Sequence, residues 1–565
     1  LAALATLLML STLASFAFAP WQRLPATGSQ STQAVILPRP GQGEVNGVDL
    51  LNAGQIPVDT FLPLMVNGDE RALVVEEDAF CRFGVNFNTL GIGPHTALSS
   101  YDISSLGVGW YINYSSYPSA EIPEDIEHAP VIRLVGSEDG TSYSFFPGEN
   151  ALLSLATSNP GRIWFVSNEP DRIKFQDGVL PEIYANAYHE IYTLLKSADP
   201  TAQIYAGSIV QPTEVRIEYL DMVVESYENT YGTAMPVDGW SIHNFILNEA
   251  SCEHYENNLN ICWGADMPPG VDAVDGLRIG IDQHHDIELF KEQIVRFRGW
   301  MNENGYQGKP VYLSEYGVLL PDWYRPTVDF SPSRINEFMN ESFDYILNER
   351  DELLGDPADD YRLIQRLSWY SVNDDYTVRS NPPITYPYQY NGYLFNPITF
   401  ERSEMGDNYA LYTNRLSHDI DFHTFSLEGR VAPTTVSVTT GLTVPITTPL
   451  PDSSSLFTVS LSAQVANSGN LSEDHETTVS FFQGDPQTGG QQIGEDQTVA
   501  LIGCGTRANV DITWTDVPSG TYDIYVKVGQ VGDEQVHAYT ESNLSNNIFS
   551  RTITVTQVIS PTLFR

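Results

Sequence analysis

Eight short apolar runs recur along the first two thirds of the chain, at residues 83–87, 108–114, 131–135, 163–166, 204–206, 239–242, 311–313 and 367–370. Between them the apolar residues return with helical period. Ile183, Ala187, Ile191, Leu194 and Leu195 share one face of a segment that Pro181 can open and Asp199-Pro200 closes. Ile217, Leu220, Val224 and Tyr227 repeat the pattern, as do Ile287, Phe290, Ile294, Phe297 and Met301, and then Ile335, Phe338, Ser342, Tyr345 and Ile346. Each one-sided helix has the right face to cover a parallel sheet. Eight strands with intervening helices over residues 80–430 predict an α/β fold, the closed TIM (β/α)8 barrel, which needs about 250 residues before insertions. The rival is an open doubly wound sheet, but no Gly-rich phosphate loop follows the first run.

Beyond residue 430 the pattern changes. Residues 431–454 are dense in Thr, Val, Ser and Pro and predict a linker. From 455 to 565 the period is two, over 456–465, 477–481, 510–514 and 522–528, with turn signals at Asn467-Ser468-Gly469-Asn470 and Pro518-Ser519-Gly520. This predicts a small immunoglobulin-like antiparallel β-sandwich. Upstream, residues 1–19 form an apolar run ending at Phe18-Ala19 before Pro20, which reads as an export signal or as an N-terminal membrane anchor. Residues 20–79, rich in Pro, Gly, Ser and Thr, predict a tether with one apolar island at 61–66.

The charge narrows the partners. Lys plus Arg number 28 against 72 Asp plus Glu, a formal net charge of -44 that repels a phosphate backbone, so nucleic acid is not an expected partner. Of the four cysteines, Cys252 and Cys262 are spaced to close a short loop in an oxidising compartment, and Cys81 and Cys504 are too isolated to read as a metal site. The expected setting is secreted or at the cell surface.

Two strand ends carry candidate chemistry. The run Trp164-Phe165-Val166 leads into Ser167-Asn168-Glu169-Pro170-Asp171, and Val311-Tyr312-Leu313 leads into Ser314-Glu315-Tyr316-Gly317. A barrel binds substrate at the C-terminal ends of its strands, so both glutamates point to one cleft. Cleavage of a glycosidic bond with retention needs a nucleophilic carboxylate and a protonated one, with their carboxyl groups about 5–5.5 Å apart. On this reading Glu315 is the nucleophile and stays ionised. Glu169 is the acid/base, with burial and a neighbouring negative charge expected to raise its pKa.

The strand order and both Glu motifs resemble clan A of the glycoside hydrolases over about residues 80–420, nearest to the fungal-type β-1,3-glucanase group. Trp110-Tyr111-Ile112-Asn113-Tyr114-Ser115 resembles that group's Trp-Tyr-x-Asn-Trp strand, with Tyr114 where Trp is usual. The resemblance implies that Glu169 is the acid/base, Glu315 the nucleophile, and Asn168 a partner of the sugar 2-hydroxyl. Ser241-Ile242-His243-Asn244-Phe245 resembles a His-x-Tyr motif in which Phe245 replaces the tyrosine, leaving the nucleophile to be steadied by His243 or by Tyr316. His243 is read either as a site residue or as a core histidine. Trp369 is the expected wall of the catalytic subsite, and Asn373-Asp374-Asp375 follows it. Trp110, Tyr111, Asn113, Trp263, Trp323, Tyr324 and the run 386–390 are candidates for further sugar contacts. Arg133 is read as binding substrate, as holding a carboxylate, or as a member of an ordinary ion pair. The long insertion 247–285 is expected to narrow substrate choice, stapled by Cys252 and Cys262.

His284-His285 precedes a helix start at Asp286 and is read as structural, so no metal or cofactor is expected in the barrel. The C-terminal sandwich resembles the bacterial adhesion-related CARDB domains, which implies a spacer or binding module with cell-envelope association. A structural Ca²⁺ on its acidic loops would lack a recognisable ligand sequence. The function these readings predict is retaining hydrolysis of a β-linked polysaccharide, with endo-β-1,3-glucan as the expected substrate. The alternatives are a transglycosylase using the same glutamates and a noncatalytic carbohydrate-binding surface protein.

Overall fold

The computed structural model describes residues 80–556, apart from 88–97, 120–121, 123–125, 138–139, 174–175, 250–263, 321–326, 375–390, 398, 418, 432–455, 472–475, 530–534 and 537–538. Ten strands come first: β1 Phe80–Asn86, β2 Val108–Ile112, β3 Glu127–His128, β4 Val131–Gly136, β5 Tyr143–Phe146, β6 Ile163–Val166, β7 Gln203–Ile209, β8 Gly239–His243, β9 Val311–Tyr316 and β10 Arg366–Trp369. Each of the eight apolar runs falls on one of them. They hydrogen-bond in the order β3-β2-β1-β10-β9-β8-β7-β6-β4-β5, parallel throughout except for the β4–β5 hairpin. β3 and β4 are one extended segment interrupted at Pro130, which has no N–H to donate. Its first part pairs with β2 and its second with β6, so the sheet closes on itself as a barrel of eight.

The helices α1 Glu149–Ser158, α2 Pro181–Ala198, α3 Glu214–Tyr231, α4 Ile287–Glu303, α5 Pro332–Asn348 and α6 Glu404–Thr413 pack outside. Their apolar stripes, among them Ile183, Ala187 and Ile191 or Phe290, Ile294 and Phe297, are fully buried with the outward faces of the strands. A second cluster of Trp110, Phe165, Tyr205 and Tyr312 fills the barrel interior. Gly84 makes room for it, since a Cβ there would lie 2.4 Å from the Trp110 ring.

The sandwich comprises β11 Asp419–Ile420, β12 Phe422–Val431, β13 Leu456–Asn467, β14 Glu476–Gln483, β15 Gln491–Ala500, β16 Thr506–Pro518, β17 Gly520–Val528, β18 Gln535–Val536, β19 Tyr539–Glu541 and β20 Ile548–Val555. Sheets β12-β13-β16 and β15-β14-β17-β20 face each other over Leu427, Leu461, Val479 and Val526. The expected barrel end at 430 is therefore too late, because β12 already pairs with β13 from Phe422 onward. A bulge between Thr424 and Ser426 breaks the period of two and hides this strand from the pattern. The expected linker falls almost wholly outside the described residues.

The sandwich docks on the barrel end that carries β1's N-terminus. Cys81 and Cys504 are joined by a disulfide across 423 residues, both nearly fully buried. The expected Cys252–Cys262 bridge lies outside the described residues. Arg82, fully buried, donates to both Asp359 carboxylate oxygens at 2.7 and 2.8 Å, to Asn470 Oδ1 at 3.0 Å and to the Ser468 carbonyl at 3.0 Å. Arg507 reaches back to Asp356 and to the Gly308 carbonyl. Among the described residues no helix is long and apolar enough to cross a membrane.

Candidate active site

At the opposite end of the barrel, the chain leaving β6 turns sharply. Ser167 (φ 77°) and Glu169 (φ 48°) both adopt left-handed backbone, a conformation that costs non-glycine residues about 1–3 kcal/mol each. Asp177 holds this turn in place. Its carboxylate accepts from Ser167 Oγ (2.9 Å), Asn168 N (2.9 Å), Leu134 N (2.9 Å) and Arg133 Nε (2.7 Å), and Glu169 N donates to the Ser208 carbonyl at 3.0 Å. Arg133 is thus ion-paired with the Asp177 carboxylate.

The turn brings Glu169 to His243 at the end of β8 and to Glu315 on β9. His243 Nδ1 lies 3.2 Å from Glu169 Oε1 and 3.8 Å from Glu315 Oε2. One ligand atom from each of the three lies within 4.8 Å of the others, all nearly fully buried. Arg172 NH1 donates to Glu169 Oε2 at 3.2 Å, and Tyr114 Oη donates to Glu315 Oε2 at 2.8 Å. A narrow depression beside them is lined by the polar Asn168, Ser208 and Ser314 and by the apolar Ile112, Val131 and Phe165. Asn168 is held there by Gln176, 2.9 Å from its Nδ2.

The electrostatics reverse the expected protonation. Burial alone would raise the Glu169 carboxyl, but Arg172 and His243 together outweigh it and hold it down at about 2. Burial lifts Glu315 to about 7, with the charge of Glu169 adding to the rise and His243 and Tyr114 opposing it. Burial would lower His243, yet Glu315 and Glu169 raise it on balance. The surroundings therefore favour the ionised form of Glu169 and the protonated form of Glu315. The expectation missed Arg172, although its position three residues after Glu169 was visible in the chain.

Two carboxylates and an imidazole within 4.8 Å also resemble a metal-ligand set. Their lone pairs already face a guanidinium and a phenol O–H, and Arg172 at 3.2 Å from Glu169 opposes a further cation.

Several expected sugar contacts point elsewhere. Trp369 is fully buried outside the barrel against Tyr316 and Phe343, its indole N–H on the Gly392 carbonyl at 2.8 Å. Tyr316 Oη pairs with Ser342 Oγ at 3.2 Å and does not reach Glu315's carboxylate. Trp110 lies in the interior cluster, Tyr111 Oη accepts from Ser119 N at 2.9 Å, and Asn113 joins His128 to the Tyr117 carbonyl. Tyr111 and Trp369 face outward because one position along a strand exchanges inside for outside, whereas Trp110 faces inward and is taken up by the interior cluster. Tyr114, two beyond the end of β2, faces the site instead, and Tyr370, one beyond Trp369, packs edge-on to Phe245 at 5.7 Å and donates to Asp374. The hydroxyl that reaches the Glu315 carboxylate is that of Tyr114. Trp263, Trp323, Tyr324, Asp375 and 386–390 lie outside the described residues. His284 and His285 act as struts: Leu319 N donates to His284 Nε2 at 2.9 Å, and His285 Nε2 pairs with the Asp329 carbonyl at 3.0 Å.

Removing the phenol tests the contact between Tyr114 and Glu315. Tyr114→Phe is expected to lower kcat about 10- to 100-fold, the worth of one hydrogen bond to a charged acceptor. It should also move the acid limb of the rate profile upward, since Tyr114 favours ionised Glu315. Rates measured across pH on an aryl β-glycoside check both.

The chain is thus an α/β barrel protein with a paired-glutamate site and a C-terminal β-sandwich. Residues 439–551 match the CARDB family model. No curated protein matches the sequence. Among solved structures it is similar to a monomeric β-xylosidase from Caulobacter crescentus CB15, at 13% identity over 78% of this chain and 97% of that one, with a TM-score of 0.35. It is similar to β-glucuronidase 2 of Bacteroides uniformis at 10% identity over 85% of this chain and 46% of that one, TM-score 0.32. A CARDB domain from Pyrococcus furiosus, in complex with di-metal ions, aligns at 16% identity over 25% of this chain and 99% of that domain, TM-score 0.16.

Proposed function

We propose that this protein is a retaining glycoside hydrolase acting on β-linked polysaccharide, with Glu315 as nucleophile and Glu169 as acid/base. The observation that carries the proposal is the approach of the two buried strand-end carboxylates to within 4.8 Å. That spacing suits a covalent route, whereas inverting enzymes need about 6.5–9.5 Å to admit a water. Glu315 attacks the anomeric carbon as the glycosidic C–O bond breaks, and the leaving oxygen takes the proton of Glu169. Water then gives a proton to the Glu169 carboxylate and displaces Glu315 from the sugar.

This cycle needs the proton on Glu169, whereas Arg172 and His243 favour its ionised form and burial favours the protonated form of Glu315. His243 Nδ1, 3.2 Å from one carboxylate and 3.8 Å from the other, is the group that can pass it across. It gives a proton to Glu169 and takes one from Glu315, leaving the imidazole unchanged. The reading extends to an extracellular or cell-surface setting, supported by the Cys81–Cys504 bridge and the CARDB match, with the sandwich serving attachment or substrate targeting.

The test is the anomer released at early times, followed by nuclear magnetic resonance on defined β-1,3-, β-1,4- and β-1,6-linked oligosaccharides. The expected product keeps the β configuration, with internal cleavage of β-1,3-glucan the fastest. Initial release of the α anomer would remove the covalent route. Products longer than the substrate would identify sugar, in place of water, as the main acceptor.

A further inference from the structure

Arg172 is an unusual neighbour for an acid/base. It lies on the same turn as Glu169, with NH1 3.2 Å from Glu169 Oε2 and Nε 3.6 Å from Asp266 Oδ1, and its side chain keeps 23% of its surface exposed. Asp266 is anchored in turn, since its backbone carbonyl accepts from Arg216 NH2 at 2.6 Å. Arg216 also binds Asp171 and Glu249, each at 2.6 Å, and is fully buried. One guanidinium is therefore divided between a carboxylate of the site and a carboxylate fixed to the scaffold.

We propose that Arg172 is a positioning residue shared between Glu169 and Asp266, which fixes the Glu169 carboxylate and sets the charge balance of the glutamate pair. This rests on the glycosidase reading for its purpose, but not for its geometry. The groups around Glu169 are Arg172 on its own turn, His243 from β8, Glu315 from β9, Tyr114 beyond β2, and Asp171 with Arg216 behind it. Asp374, beyond β10, faces Tyr114. Arg172 is the fixed cation among those that touch Glu169, because His243 changes charge with its own proton. Arg172 therefore acts on both macroscopic titrations of the glutamate pair in the same direction. Asp266 opposes it, both by its own charge and by drawing the guanidinium away.

The two substitutions consequently have opposite signs. Arg172→Gln removes a positive charge and should move both limbs of the kcat/KM profile to higher pH, by about one unit. Asp266→Asn removes a negative charge beside Arg172, so both limbs should move to lower pH. Arg172→Lys should restore most of the wild-type profile. A residue that only supports the fold would lower the rate at every pH and leave the limbs in place. The same shifts are read without any substrate by titrating ¹³C-labelled glutamate carboxyls in the full chain, with Glu169→Gln and Glu315→Gln assigning the signals. Carboxyl signals that move as stated in a protein that cleaves no glycoside would keep the positioning role and sink the glycosidase reading. Signals and limbs that stay within 0.2 units, or move the same way in Arg172→Gln and Asp266→Asn, overturn the proposal.

Discussion

Glu315→Ala is expected to lower turnover of a β-linked oligosaccharide by about 10⁴-fold or more, the scale on which loss of a nucleophile acts when the rest of the site is intact. The residue is buried at the end of β9, and its carboxylate meets Tyr114 and lies near His243, so shortening it leaves a small space at the attacking face. Azide supplied in excess can enter that space and attack the anomeric carbon of an activated aryl glycoside. The product is then a glycosyl azide of inverted configuration, identified by its anomeric coupling. Glu169→Gln should behave differently. It harms protonation of a poor leaving group but spares the first step on an activated aryl glycoside, so the glycosyl-enzyme accumulates. If Glu315→Ala retains more than a tenth of the wild-type rate, another group performs the attack.

Arg82→Ala should be the most destabilising single change outside the site, by about 3 kcal/mol and up to about 5, because it strands part of a buried charge. Arg82 is fully buried and binds Asp359 through both guanidinium nitrogens while also meeting Asn470 and Ser468 of the sandwich. Arg362, 3.1 Å from Asp359, remains in the variant and favours the lower figure. The measurement is the urea unfolding transition of the full chain with the Cys81–Cys504 bridge intact, alongside activity per folded molecule, which should be unchanged. Burial would raise the Asp359 carboxyl, but Arg82 and Arg362 outweigh it and leave it lowered. Its contribution to stability is therefore full above the ordinary aspartate range near pH 4 and is lost as pH falls through the lower folded value. The gap between wild type and Arg82→Ala should narrow in strongly acid solution. A variant as stable as the wild type at neutral pH would show that the barrel and sandwich do not depend on this contact.

The eight barrel strands, their covering helices and the alternating strands of the sandwich were legible in the sequence because each is encoded by the period of apolar residues within a dozen positions. So were Glu169 and Glu315, since a carboxylate just past an apolar run must lie at a strand end, and barrel geometry brings such ends together. What depended on a single position of phase was not legible. Trp369 turned outward, and Tyr114 faced the site where Tyr111 was expected to. A bulge in β12 concealed a strand that period two would otherwise have marked. Contacts across long separations were hidden altogether, because nothing near Cys81 in the chain specifies Cys504, and nothing near Arg82 specifies Ser468. The location of the proton was also a matter for the tertiary structure. The sequence determined that two glutamates would share a cleft, but their charges depend on distances of 2.8 to 3.8 Å to Arg172, His243 and Tyr114. Periodicity is a local property of the chain, whereas electrostatic energy is summed through space over whatever the fold has gathered.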